Sequence, residues 1–255
     1  MANAPERITD VLSLLAKHPY GLSTVEVAES LSLSRTAASR LLALMADTSL
    51  VERDPLTQRY VLSLTLWVTG AAALQRLNVV ELSLLPMAEA VSAHGAPIFL
   101  GVNRGPETYI VRAVDSVHGF AIVNPIALQG PIPEFATGKA ILAFDSPDNI
   151  ASALRELSFS EPGSGERRER FVAELESIRE RGYALKFLNG ETAVNGIAVP
   201  IVDRTGYAVA GLGATHEEIP INDFSPEPLL SVVKGAADAV SRYLGHARFT
   251  AAVVP

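Results

Sequence analysis

Cysteine is absent from the 255 residues, which removes disulfides and thiolate metal sites and fits a reducing cytoplasm. No apolar run is long enough to span a bilayer, and the opening MANAPERITD lacks the basic-then-apolar order of a secretion signal. A soluble, cytoplasmic protein without a membrane partner is therefore expected. The five histidines, at 18, 94, 118, 216 and 246, are nowhere spaced i, i+4, and without cysteine they offer no zinc set. His216-Glu217-Glu218 reads as a solvated turn rather than a ligand cluster. No G-x-S-x-G nucleophile elbow occurs. No enzyme, metal or cofactor is expected, although an enzyme of related architecture, or a small-molecule-binding module with a non-functional DNA head, stays open as the alternative. Internal repeats and low-complexity tracts are also missing.

The chain lacks the basic excess common in DNA-binding proteins. Residues 1–76 carry seven basic and seven acidic side chains, so the whole net charge of −7 lies in the remainder. Only the N-terminal part escapes the acidic balance, as suits the one part that would approach phosphate. What is abundant is apolar surface, 48% of residues with mean hydropathy +0.24, which predicts a sizeable core and ample length for two domains.

The densest local information lies between Leu22 and Tyr60. Ser23 and Glu26 stand at capping-box spacing, followed by an apolar stripe of Val25, Ala28 and Leu31. Ser34 caps a second predicted helix whose inner face is Ala38, Leu41, Leu42 and Met45, leaving Arg35, Thr36, Ser39 and Arg40 outward. Residues 52–60 then read as a small hairpin. Helix, turn, helix, hairpin is a winged helix-turn-helix, whose second helix enters a major groove while the wing touches backbone. Cations for phosphate and short hydroxyls or amides for close approach are what such a surface needs. Ser34, Arg35, Thr36, Ser39 and Arg40, with Thr57, Gln58 and Arg59 in the wing, supply both. Arg40 reads equally as a base contact or a phosphate clamp. Taken alone, a pair of Ser-capped helices has no obligation to bind DNA.

Residues 6–17 predict a helix packed behind these two. Residues 64–77 predict a linker helix, apolar on several sides and so in need of a partner such as its own copy in a second subunit. Beyond a boundary near residue 78, helices are predicted at 80–94, 149–157, 167–181 and 229–244. Strands are predicted at 97–103, 108–115, 120–124, 183–188, 194–202 and 207–214. The expectation is an α+β chain: residues 1–63 a winged helix-turn-helix, 64–77 the linker helix, and 78–255 an antiparallel sheet covered by helices.

The segments SRTAASRLLALM, RYVL, PIPEFATGKAILAF, RGYALKFLNGE and IAVPIVD, in this order and spacing, resemble the IclR family of bacterial transcriptional regulators over nearly the whole chain. The resemblance implies a homodimer or dimer of dimers, a GAF-like effector-binding domain, and binding to a double-stranded operator that a small organic acid alters. Whether the chain represses or activates stays open. Three departures stand out: Ser63 where a glycine usually follows the wing, Pro133 where a histidine is often seen, and Ala193 where a glycine usually precedes the Ala-x-Pro strand.

The Ala136-Thr137-Gly138 start of a helix offers free amides and the positive end of a dipole, an anion site. A phosphate-loop reading fails because Pro133 and Ala140 replace the required glycine and hydroxyl. Carried over by resemblance, Lys186 falls where relatives tend to have an Asp facing the ligand, Gly196 where a Cys or Ser is common, and Gly211 and Gly213 where two serines often hold a small acid. Losing hydroxyls and gaining a cation suggests a larger, flatter anion, such as an aromatic carboxylate, against Phe120, Ile122 and Phe135. Against that, Gly211 and Gly213 relieve crowding in a sheet equally well, and Lys186 reads equally as solvent-facing.

Overall fold

The computed structural model describes residues 4–74, 77–114, 128–157, 164–188 and 193–246. The chain divides into two compact units, Met1–Arg76 and Leu77–Pro255.

In the first unit, α1 (Ala4–Ala16), α2 (Thr24–Ser30) and α3 (Arg35–Asp47) precede a hairpin of β1 (Val51–Arg53) and β2 (Tyr60–Leu62), and α4 (Leu64–Leu74) comes next. The capping box forms in full: the Ser23 amide donates to Glu26 Oε2 at 2.7 Å and the Glu26 amide to Ser23 Oγ at 3.3 Å. Ser34 caps α3 by accepting from the Ala37 amide at 3.1 Å. Val11, Leu15, Val27, Ala38, Leu42 and Met45 close the core against Val51 and Tyr60. Gly21, with φ +76°, lies where a Cβ would stand 2.6 Å from the Tyr60 carbonyl, so only glycine lets Leu22 bridge to Tyr60. Ser63 is buried, and its hydroxyl donates to the Ser49 carbonyl at 2.5 Å while accepting from the Thr65 amide at 3.1 Å. The serine that departs from the usual glycine thereby ties the turn after α3 to the first turn of α4. Leu64, Trp67 and Val68 on α4 are exposed.

The second unit is a six-stranded antiparallel sheet in the order β5-β4-β3-β8-β7-β6. Its strands are β3 (Ile98–Arg104), β4 (Glu107–Val114), β5 (Gln129–Pro131), β6 (Ala184–Leu188), β7 (Ala193–Val202) and β8 (Ala208–Pro220). Helices α5 (Asn78–His94) and α9 (Glu227–Tyr243) cover one face, with α6 (Ala136–Ala143), α7 (Pro147–Glu156) and α8 (Ser164–Arg181) on the other side. The two-residue period of β7 sorts Ile197, Val199 and Ile201 toward α5 and α9, and Ala198 toward α6 and α8. The expected strand at 120–124 lies outside the described residues. Residues 215–220, left out of the expected strand, continue β8. Among the described residues, no helix is long and apolar enough to cross a membrane.

Candidate functional site

On the first unit, α3 presents Arg35, Thr36, Ser39 and Arg40 to solvent, all four exposed. Ala38, Leu42 and Met45 are fully buried on the opposite side. Ser34 is exposed with its hydroxyl committed to the cap. In the wing, Asp54 Oδ1 accepts from the Leu56 and Thr57 amides at 2.9 and 2.7 Å, closing the turn beneath an exposed Thr57. Gln58 takes a left-handed φ of +59°, and its amide nitrogen donates to the Pro55 carbonyl at 2.8 Å.

Arg59 is placed differently from its neighbours. Its Nη2 donates to both carboxylate oxygens of Glu26, at 2.7 and 2.8 Å, and its Nε to the Gly21 carbonyl at 2.9 Å. The guanidinium thus locks the wing onto the capping box instead of projecting from it. The Ser23 hydrogen bonds, and after them the Arg59 cation, hold the Glu26 carboxyl down to about 2 from a usual 4.5. A depressed acid contributes stability above its unfolded value and loses it as pH falls through the folded one. Wild type should therefore exceed Glu26→Gln in denaturation midpoint at pH 6, with the advantage shrinking between about pH 4.5 and pH 2. Chemical denaturation across that window checks it; a pH-independent difference would mean the pair is not the cause.

On the second unit, the site is built on bare sheet. A Cβ at Gly101 on β3 would stand 2.8 Å from Thr137 Oγ1. On β8, one at Gly211 would stand 2.7 Å from the Thr137 carbonyl, and one at Gly213 2.9 Å from Thr137 Cγ2. These three glycines let the first turn of α6 settle onto the strands. The Asn103 amide holds it there, donating to the Gly138 carbonyl at 3.0 Å. Beside this seat lies a cavity of about 430 Å³, walled by Phe99, Ile110, Leu128, Phe135 and Ile197, with Ala136 and Thr137 at the helix start and Gly196 and Gly213 on the sheet.

Lys186 is half-buried on β6 and turned into this cavity, its ammonium donating to the Glu134 carbonyl. Burial pushes its pKa down, the nearby Lys139 cation adds to the fall, and Glu134 opposes it. Lys139 itself is buried and spoken for: Nζ lies 2.5 Å from Glu174 Oε1 and 5.5 Å above the Phe187 ring.

Of the residues expected to face a ligand, Ala136, Thr137, Lys186, Gly196 and Gly213 meet around the cavity, as does Phe135. Gly138 and Gly211 do not line it. Gly211 lies beneath the Thr137 carbonyl, and a Cβ at Gly138 would stand 2.0 Å from Thr108 Oγ1, so both serve close packing of α6. Phe120 and Ile122 lie outside the described residues. Asn195, Thr215 and His216 line the cavity although no motif in the sequence points to them. His216, read from the sequence as part of a solvated turn, sits in β8 and stacks on Phe224 with centroids 5.4 Å apart. Among the described residues no His, Cys, Asp and Glu gather as a metal site.

Two family models match the chain: the IclR helix-turn-helix domain over residues 4–55 and the bacterial transcriptional regulator IclR C-terminal domain over residues 71–242. The chain belongs to the IclR family of transcriptional regulators. The regulator KdgR of Escherichia coli is 24% identical over 260 residues, covering 96% of this chain and 98% of its own. The glycerol operon regulatory protein of Streptomyces griseus is 28% identical over 255 residues, covering 96% and 97%. The Thermotoga maritima IclR crystal structure superposes with a TM-score of 0.67 at 25% identity, covering 96% of this chain and 99% of that one. Membership makes the chain a DNA-binding, ligand-responsive regulator of transcription, in a family that is typically non-catalytic.

Proposed function

We propose that the chain is a homodimer or dimer of dimers that reads a pseudo-palindromic operator and responds to a small organic acid, with an aromatic carboxylate as the favoured class. Residues 1–63 would form the reading head, 64–77 the linker that pairs through the exposed face of α4, and 78–255 a GAF-like sensor. Arg35, Thr36, Ser39 and Arg40 would meet the duplex, with Thr57 and Gln58 in the wing and Arg59 fixing the wing's position. Paired heads must match half-sites about one helical turn or a multiple apart, so a ligand that shifts the linkers changes affinity by favouring one arrangement. The natural setting would be repression of a catabolic operon in the cytoplasm.

One observation carries the ligand class: a lysine turned into a largely apolar cavity beside the start of α6. The first-turn amides of a helix have no carbonyl of their own turn to bond, and the dipole there favours an anion. Aromatic and aliphatic walls accommodate a flat ring. Lys186→Ala should weaken benzoate binding roughly tenfold, the usual worth of a charged hydrogen bond, as read by isothermal titration. Unchanged affinity would sink the role given to Lys186. Gel-shift of the DNA upstream of the chain's own gene, with and without benzoate, tests the regulatory reading, and turnover of the acid would favour an enzyme instead.

A further inference from the structure

The sheet around the cavity loses register at a single residue. Lys186 on β6 pairs with Gly196 on β7, yet the next β6 residue, Phe187, pairs with Val194, so Asn195 has no partner on that side. Across β7, Gly196 pairs with Thr215 and Val194 with Ile219, which sets Asn195 against the three β8 residues 216–218. Asn195 is therefore outside the ladder on both edges of its strand. Bulges of this kind re-aim side chains and concentrate beside sites.

Asn195 lines the cavity. Its Oδ1 is buried and finds no hydrogen-bond partner among the described residues. A buried amide oxygen without a donor destabilises the fold, and asparagine is itself a poor strand former. Both costs are offset if the missing donor arrives with the ligand. His216 borders the same stretch of wall, fixed by its stack on Phe224, so the bulge is held in shape.

We propose that Asn195 is a specificity-determining residue of the effector cavity, accepting a hydrogen bond from a hydroxyl carried by the bound acid. The inference rests on the acid-binding reading above and narrows it from an aromatic carboxylate to a hydroxylated one. An acid lacking the hydroxyl leaves Oδ1 unpaired, and sites built to hydrogen-bond a substituent reject the analogue without it far more strongly than apolar walls reject a change of size.

The test is calorimetric titration of the full chain with benzoate, 3-hydroxybenzoate and 4-hydroxybenzoate. The better hydroxybenzoate should bind wild type at least about tenfold more tightly than benzoate. Asn195→Leu, which keeps the size and removes both polar atoms, should bring that ratio close to one. Its unliganded melting temperature should not fall, because an unsatisfied acceptor has gone. Asn195→Ala serves as a second variant. A preserved ratio in the variants, no preference in wild type, or a lowered melting temperature in both variants would each overturn the proposal. Failure of the underlying reading looks different: none of the three acids binds wild type at all, and both ideas fall together. Benzoate binding with an unaltered ratio removes the role of Asn195 alone.

Discussion

Glu174→Ala is expected to cost the C-terminal unit about 3 kcal/mol, the lower end of the penalty for removing one partner of a buried ion pair. The carboxylate lies 2.5 Å from Lys139 Nζ, and the lysine side chain is only 5% exposed while the glutamate is 28% exposed. Deleting the acid leaves a cation without its counter-charge on a side chain almost wholly withdrawn from solvent. The Phe187 ring beneath the ammonium, at 5.5 Å, compensates in part. At two to four degrees per kcal/mol for a unit of this size, melting should fall by roughly 6–12 °C. Lys139→Met combined with Glu174→Leu should recover most of the loss, because an apolar pair of similar volume removes both desolvation costs. If the double variant melts no higher than Glu174→Ala, the penalty does not come from a stranded charge.

The second large effect concerns the duplex. Arg35→Ala together with Arg40→Ala should weaken binding to the upstream DNA roughly 100-fold at moderate salt, and every phosphate released by a missing arginine should reduce the salt slope by about one. Both arginines are exposed and lie on the side of α3 away from Ala38 and Leu42, so the fold should survive unchanged. The single variants separate the two roles. If the arginine reads a base edge, its removal relaxes discrimination between operator and scrambled sequence; if it grips a phosphate, its removal weakens both equally. Binding that survives in the double variant with an unaltered salt slope would remove α3 from the interface.

How much of this is legible in the sequence depends on the range of the interactions. The Ser23–Glu26 box, the Ser34 cap and the Gly95 stop of α5 are set by residues within one turn of each other, so their spacing is enough to find them. The apolar stripe of α3 likewise names its buried face. The partner of Arg59 is hidden because Glu26 is 33 residues away and already accounted for by its capping role. Gly211 is ambiguous for the same reason: whether a bare strand position faces a ligand or a helix depends on where α6 lands, and no neighbouring residue records it. Asn195 is illegible in a stricter sense. Its place in the cavity wall goes with mismatched counts on β6, β7 and β8 together, a property of three strands and of none singly. Lys139 gives a false lead of another kind, since a Gly-Lys pair at a helix start invites a ligand, whereas the ammonium is taken up by Glu174.

The Glu26–Arg59 lock has a consequence for how the protein would search a chromosome. A DNA-binding unit whose cations and anions balance over residues 1–76, and which commits one of its arginines to an internal ion pair, retains little grip on arbitrary sequence. Such a protein would owe its occupancy more to the operator's own base pairs than to generic attraction.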